Sequence, residues 1–244
     1  MAKIIAIGGG EVREKSTLQI DKEIISFSGK KNPKLLFIPT ASSDAEGYFL
    51  SIKEYFGNLG CSVDVLYLIK ENPTKEEIQS KILGSDIIYV GGGNTLKMMT
   101  LWRKLGVDIL LQKALEKNIV LCGLSAGSIC WFKYGNSDSR KFTGNSSQLI
   151  KVTGLGFIEA LHCPHYDAEA YRQEDLKRMM KSSPLIAIAL ENNCAIQIED
   201  ASYRIITSNP KAKAYKIYWK NGVYFKEEIE RDNTFLPLQN LLEK

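Results

Sequence analysis

The chain has 244 residues, 44% of them hydrophobic and 25% charged, which is the composition of an ordinary globular protein. Its 32 basic and 28 acidic residues are interspersed, and a net charge of +4 argues against nucleic acid as a partner. No apolar run approaches the roughly 18 residues of a membrane-spanning helix, so we expect no membrane partner.

Short apolar strands alternate with helical patterns through the first half of the chain. Strands are predicted at Lys3–Ile7, Leu35–Pro39, Val63–Leu68, Ile87–Val90 and Asn118–Cys122. Helices are predicted at Leu18–Ser28, Tyr48–Leu59, Thr95–Leu105 and Val107–Lys117, with another beginning at Thr74, where Glu77 completes a capping box. Strands apolar on both faces, alternating with helices, predict an α/β fold with a doubly wound, mostly parallel sheet flanked by helices. In such sheets the reactive crevice lies at the carboxyl ends of the strands.

The second half is less regular. Tyr134–Ser147 is polar and rich in Gly, Ser and Asn, which predicts an exposed loop. A strand at Phe157–Cys163, an amphipathic helix across Ala168–Lys181 and a strand at Leu185–Leu190 follow. Asn221-Gly222 predicts a β-hairpin near the C-terminus. With no linker or repeat, we expect residues 1–244 to form a single α/β domain with a C-terminal hairpin extension.

The N-terminus and the cysteines indicate the compartment. The first residues enter a strand pattern at once and show no signal peptide. The five cysteines are odd in number and none has CxxC spacing, so we expect reduced thiols and a cytoplasmic protein.

The pattern with the most chemical content is Gly123-Leu124-Ser125-Ala126-Gly127. It follows the apolar strand ending at Cys122, and Ser128–Phe132 is predicted to continue as a helix. A serine between two glycines at a strand-to-helix turn is a nucleophile elbow, in which the hydroxyl stands exposed beside helix amides. The serine needs a base, an orienting acid and an oxyanion site.

The chain has only two histidines, His162 and His165, and both come at the end of a predicted strand. His162 falls within the strand and is expected to pack or hydrogen-bond structurally. His165 follows a proline that holds the backbone extended, and we favour it as the base. His162, Cys163 and His165 have no second Cys/His cluster to complete a zinc site, so neither a metal nor a cofactor is expected.

The orienting acid and the oxyanion donors are predicted at other strand ends. Glu191, after the strand at Leu185–Leu190, is the first choice for the acid, and Asp138, after the elbow, is the second. Backbone amides of Ala126 and of the Gly92-Gly93 turn are the predicted oxyanion donors.

Three motifs taken together resemble the peptidase E family of α-aspartyl dipeptidases and its cyanophycinase relatives. They are Val90-Gly91-Gly92-Gly93-Asn94-Thr95, the elbow around Ser125, and Cys163-Pro164-His165-Tyr166. The resemblance implies a fold like that of class I glutamine amidotransferases, with a serine in place of their nucleophilic cysteine. It also implies that Ser125, His165 and Glu191 form a triad and that Asn94 and Arg172 bind the substrate.

By this resemblance the protein is expected to be a serine-type peptidase hydrolysing short peptides, Asp-X dipeptides above all, through an acyl-enzyme. Two alternatives are a cyanophycinase-like hydrolase of β-aspartyl bonds and a non-catalytic binding module on the same fold. Its expected partner is a small peptide, and it is expected to be a monomer or a homodimer. An α/β-hydrolase esterase is disfavoured, since those enzymes place their histidine after the acid.

Overall fold

Two β-sheets, one of eight strands and one of six, are found in the computed structural model, which describes residues 2–142, 144, 146, 148–168, 170–231 and 234–244. The strands are β1 (Lys3–Ile7), β2 (Lys34–Ile38), β3 (Ser62–Val65), β4 (Ile87–Val90), β5 (Val120–Leu124), β6 (Phe132–Ser137), β7 (Ile150–Thr153), β8 (Ile158–Cys163), β9 (Ala187–Leu190), β10 (Cys194–Glu199), β11 (Ser202–Thr207), β12 (Ala214–Lys220), β13 (Val223–Glu228) and β14 (Leu236–Pro237). The α-helices are α1 (Leu18–Phe27), α2 (Glu46–Asn58), α3 (Lys75–Leu83), α4 (Thr95–Leu105), α5 (Val107–Glu116), α6 (Ala126–Ile129), α7 (Ala170–Met180) and α8 (Leu238–Leu242).

The first sheet has the order β14-β11-β10-β1-β5-β4-β2-β3. Its five strands from the first half of the chain are all parallel, and β10, β11 and β14 add an antiparallel edge. This arrangement confirms the predicted α/β fold with a parallel-rich sheet and flanking helices. The carboxyl ends of β1, β4 and β5 lie side by side, so the glycines that follow them meet at one edge.

The parallel strands are buried on both faces, which explains why they are almost entirely apolar. Alternate residues of a strand point to opposite faces, and in β1 Ile4 and Ala6 belong to one hydrophobic cluster while Ile5 and Ile7 belong to another. Helices cover both clusters, as the doubly wound arrangement requires. The capping box predicted at Thr74 is present, with the Thr74 hydroxyl accepting from the Glu77 amide.

The second sheet, in the order β13-β12-β9-β8-β6-β7, contains a strand that we predicted to be loop. The start of the predicted loop Tyr134–Ser147 is strand, because β6 continues to Ser137. Helix α6 ends at Ile129, where a longer helix was expected. The side chains of Asn136 and Ser137 in β6 are buried, and both have hydrogen-bond partners. Asn136 Nδ2 donates to Asp175 Oδ2 at 2.9 Å, and Ser137 Oγ donates to Thr95 Oγ1 at 3.2 Å. Such hydrogen bonds allow a polar segment to lie inside a protein.

The C-terminal hairpin forms as predicted. Asn221 and Gly222 have φ of 51° and 77° and connect β12 to β13, as a two-residue turn with two left-handed positions requires. The hairpin is part of the second sheet, since β12 pairs with β9. All five cysteines are free and buried. Within the described ranges, no helix combines the length and apolar character needed to cross a bilayer.

Helix α1 carries a buried carboxyl group. Asp21 is fully buried, and its Oδ2 accepts hydrogen bonds from the Thr17 and Tyr55 hydroxyls, each at 2.8 Å. Burial disfavours the charged form and raises the pKa of Asp21 to about 6, in spite of these two hydrogen bonds. Between the ordinary pKa and about 6, the folded state therefore holds more protons than the unfolded state, and stability falls as the pH rises.

We expect Asp21→Asn to stabilise the protein at pH 8 but not near pH 4, because the amide keeps an acceptor for Thr17 and Tyr55 and carries no charge. The shift corresponds to a gain of about 3 kcal/mol in the free energy of unfolding at the higher pH. Urea denaturation of both proteins at the two pH values measures it. A difference that is the same at both pH values would contradict this account.

Candidate active site

The serine elbow between β5 and α6 is built as a strained turn. Ser125 has φ 58° and ψ −113°, a conformation unfavourable for a non-glycine residue. The flanking glycines are needed for packing: a Cβ on Gly123 would lie 2.4 Å from the Gly127 oxygen, and one on Gly127 would lie 2.1 Å from the Val90 oxygen. The glycines thus let the turn press against β4, while the strain itself falls on Ser125.

A buried hydrogen-bond network supports the elbow from behind. The Ser125 carbonyl accepts from the Ser128 and Ile129 amides at 2.9 and 3.0 Å, and the Ser128 hydroxyl oxygen lies 2.7 Å from it. His162 is fully buried, with Nε2 2.8 Å from Ser128 Oγ and Nδ1 2.9 Å from the Ile188 carbonyl. Burial lowers the pKa of His162 to about 3, so its imidazole is neutral and serves the structure of the turn.

His165 is the histidine that meets the serine. Its Nε2 lies 2.8 Å from Ser125 Oγ, and its Nδ1 lies 2.7 Å from Asn192 Oδ1. An amide oxygen can only accept, so Nδ1 carries the proton and Nε2 presents a lone pair to the serine hydroxyl. This is the tautomer that a general base requires.

The structure brings Asn192 to His165 in place of the expected acid, Glu191. The Glu191 carboxylate accepts from the Lys213 amide at 2.9 Å and the Tyr215 hydroxyl at 3.2 Å, on the side of the second sheet. The two residues are neighbours directly after β9, and their side chains leave the chain in different directions. The side chain beside His165 Nδ1 thus belongs to the residue that directly follows the predicted one.

The glycine run after β1 makes room for the histidine and asparagine. The His165 amide donates to the Gly8 carbonyl at 2.9 Å and the Asn193 amide to the Gly9 carbonyl at 2.8 Å. A Cβ on Gly9 would lie 1.9 Å from Asn192 Oδ1 and 2.4 Å from His165 Nδ1. Gly8-Gly9-Gly10 therefore forms part of the site, and a glycine triplet directly after a strand is the signal for it in the sequence.

The electrostatic surroundings keep His165 neutral. Burial lowers its pKa below the ordinary value, and the positive charge of Arg172 lowers it further. The hydrogen bond to Asn192 and the charges of Asp138 and Asp167 act in the opposite direction. The imidazole is thus uncharged at neutral pH and able to accept a proton.

Of the three predicted oxyanion donors, Gly92 and Ala126 lie beside the serine. A Cβ on Gly92 would be only 3.4 Å from Ser125 Cβ, and the Gly92 amide is 3.5 Å from the Tyr48 hydroxyl, the outer limit of a hydrogen bond. Gly93 has φ 136°, and a Cβ at this position would lie 2.3 Å from the Ala41 oxygen, so the turn requires a glycine there. The Ala126 amide begins α6, directly after the serine.

The three remaining predicted residues have contacts with other parts of the chain. Asn94 is buried and caps α4, with Oδ1 accepting from the Lys97 amide at 2.9 Å and Nδ2 donating to the Ser139 carbonyl at 3.4 Å. Arg172 is 3% exposed, and its guanidinium lies 3.7 Å from Asp138 Oδ2. Asp138 thus faces Arg172, and Asn192 occupies the position beside His165.

A cavity of about 420 Å³ opens beside Ser125 and His165. The residues after β1, helix α2 and the Gly92 turn form its walls, and Arg13, Tyr48 and Ser51 are among the side chains that line it. Its volume falls in the range of small-molecule sites. In the part of the chain that the structure describes, no three His, Cys, Asp or Glu side chains are grouped to hold a metal ion.

This geometry of serine, histidine and strained elbow agrees with a family match. A sequence model of peptidase family S51 covers residues 4–206. The chain belongs to peptidase family S51. The protein is accordingly a serine peptidase, and the expected membership in the peptidase E family is confirmed.

Relatives of this S51 peptidase match it over most of its length. It is 34% identical over 220 residues to the uncharacterized peptidase YgaJ of Bacillus subtilis (strain 168), covering 89% of this chain and 92% of the relative. It is 26% identical over 194 residues to the uncharacterized peptidase PM1590 of Pasteurella multocida (strain Pm70), covering 77% and 91%.

The fold is shared with solved structures of low sequence identity. A peptidase from an acI-B1 Actinobacterium superimposes with a TM-score of 0.70 at 17% identity, covering 97% of each chain. A chain from Listeria monocytogenes EGD-e, described as a candidate peptidase E, gives 0.64 at 21% identity and covers 85% of this S51 peptidase and 98% of that chain.

Gly9→Ala is expected to slow the labelling of Ser125 by a fluorophosphonate probe about 100-fold, because the new methyl group displaces the His165–Asn192 pair that activates the serine. The clashing atoms belong to side chains, which can move, so the thermal midpoint is expected to change little. Gly57→Ala is the matched control, since a Cβ there meets nothing within 4 Å. Equal labelling of both variants would contradict this role of Gly9.

Proposed function

We propose that the protein hydrolyses short peptides, Asp-X dipeptides above all, with Ser125, His165 and Asn192 acting as a catalytic triad. The observation that carries the proposal is the 2.8 Å contact between His165 Nε2 and Ser125 Oγ at a strained elbow beside a cavity. A nucleophile and a base within hydrogen-bond distance, with the base oriented by a third group, are the requirements for acyl transfer.

In the first step, Ser125 Oγ attacks the carbonyl carbon of the peptide bond while its proton passes to His165 Nε2. The carbonyl oxygen becomes an oxyanion, for which the Ala126 and Gly92 amides are the proposed donors. The C–N bond then breaks, and the proton on His165 passes to the departing amine. Water then attacks the acyl carbon while His165 takes its proton, the ester bond to Ser125 Oγ breaks, and His165 returns the proton to that oxygen. The carboxylic acid product is released and Ser125 is regenerated.

A neutral asparagine in third place has a chemical consequence. Asn192 Oδ1 fixes the tautomer and orientation of His165 as a carboxylate would, but it brings no negative charge to stabilise the imidazolium. Triads of Cys, His and Asn operate in papain-like proteases, so an amide is sufficient for this role.

Specificity for an aspartyl side chain is proposed to come from Arg172. It is a buried cation on α7, near enough to His165 to lower the pKa of that histidine. Guanidinium groups bind carboxylates through two parallel hydrogen bonds. The family resemblance places its aspartate-binding arginine on this helix.

Turnover of a dipeptide library by the wild type and by Ser125→Ala tests the proposal. We expect fastest hydrolysis of Asp-X members and a loss of about 10⁴-fold or more in Ser125→Ala, because the nucleophile is removed. Ser80→Ala, on the exposed face of α3, is the control. Faster hydrolysis of β-Asp-Arg than of Asp-X would assign the β-aspartyl reaction instead, and full activity in Ser125→Ala would refute the mechanism.

Substitution of the two neighbouring residues tests the third triad member. Asn192→Ala is expected to lower kcat by roughly 10- to 100-fold, since His165 loses its orienting acceptor, whereas Glu191→Gln is expected to stay near the wild-type rate. A larger loss in Glu191→Gln than in Asn192→Ala would contradict the assignment.

The pH profile of kcat/KM gives a second test. In the wild type its acid limb should lie below pH 6.5, the ordinary value from which the pKa of His165 is lowered. Asn192→Asp should move that limb to higher pH, because a carboxylate stabilises the imidazolium.

A further inference from the structure

A cationic side chain lines the cavity beside the serine, and the mechanism above gives it no role. Arg13, in the turn that follows β1, borders the cavity into which Ser125 and His165 open. Arg172 is not among the lining residues of that cavity. Arg13 is therefore the arginine that borders this cavity.

Arg13 is held in a way that leaves its guanidinium able to bind a ligand. Its Nε donates to Ser51 Oγ at 3.0 Å, and the Ser51 hydroxyl in turn donates to the Gly47 carbonyl at 2.9 Å. Within the ranges that the structure describes, this is the one hydrogen bond of Arg13, and no acidic side chain is paired with it. The two terminal nitrogens are the pair that binds a carboxylate through parallel hydrogen bonds.

The turn that carries Arg13 is itself fixed to the protein. The Val12 side chain is buried in the same hydrophobic cluster as Ile5 and Ile7. The Glu11 amide donates to Ser16 Oγ at 2.7 Å, and the Ser16 amide donates to the Glu11 carbonyl at 3.2 Å. Arg13 is therefore presented to the cavity from an ordered turn.

The direction of catalysis indicates what Arg13 meets. His165 must protonate the departing amine, so the residue that leaves lies on the histidine side, in the cavity that His165 and Arg13 share. In a dipeptide that residue carries the free C-terminal carboxylate. On the basis of the proposed function, we propose that Arg13 binds the C-terminal carboxylate of the departing residue and so selects peptides that end one residue after the cleaved bond.

Arg13 lies where two cavities adjoin, which bears on selection by length. A second cavity, of about 540 Å³, adjoins the first, and both are lined by Val12, Arg13 and Ser51. A longer peptide would have to pass Arg13 into this second cavity and would place a neutral amide where the guanidinium offers a carboxylate site. The acidic residue Glu11 also lines the first cavity, so affinity for anions in general is a poor measure of the proposed site. The difference in affinity between a peptide with a free C-terminal carboxylate and the same peptide as its amide is a sharper measure.

The test compares Asp-Leu with its C-terminal amide. Affinity is measured by calorimetry on Ser125→Ala, which binds without turnover, and kcat and KM are measured on the active enzyme. Because Arg13 is exposed, we expect a preference for the acid of roughly tenfold, seen in affinity and KM with little change in kcat. Arg13→Gln should bind the acid no better than the parent binds the amide, and Arg13→Lys should recover part of the difference. Lys53→Gln removes a charge from α2 outside both cavities and should keep the full preference.

Equal affinity of acid and amide for Ser125→Ala would overturn the carboxylate site, and so would an undiminished preference in Arg13→Gln. These results are independent of turnover. A preference that disappears in Arg13→Gln, together with no hydrolysis of any dipeptide by the wild type, would support the site and count against the proposed function alone.

Discussion

The hydrogen bond from the His165 amide to the Gly8 carbonyl joins the two sheets at the point where the reacting groups meet. Ser125 is delivered by β5 of the first sheet and His165 by the end of β8 of the second, so neither sheet holds a complete site. Gly8 and Gly9 follow β1 and accept from both His165 and Asn193. The 2.8 Å distance between the serine and the histidine thus depends on a register set by backbone groups.

The uncharged state of the two imidazoles has the same main physical cause. Removal from water disfavours the charged form, which lowers the pKa of His162 and of His165 and raises the pKa of Asp21. His162 can then support the elbow as a neutral hydrogen-bonding group, and His165 can act as a base. Besides the hydrogen bond to Asn192, the charges of Asp138 and Asp167 act in the opposite direction and favour the charged form of His165.

The parallel part of the fold could be predicted from the sequence because strands buried on both faces are apolar and helices between them are periodic. Polar strand β6 could not, since Asn136 and Ser137 are buried through partners far along the chain. The contact between Ser125 and His165 could be predicted from a short motif and from the presence of only two histidines. Asn192 was missed because the direction of a side chain after a strand end depends on the backbone there, and a shift of one residue exchanges it with Glu191.

Ser125 and His165 share one further property: each is a non-glycine residue with positive φ, at 58° and 52°. Each conformation is unfavourable on its own and persists only while the surrounding packing enforces it. If the two sheets separate slightly, both residues can relax to ordinary backbone angles, and the serine and histidine then part. We therefore expect activity to be lost when the two sheets loosen, at conditions milder than those that unfold either one.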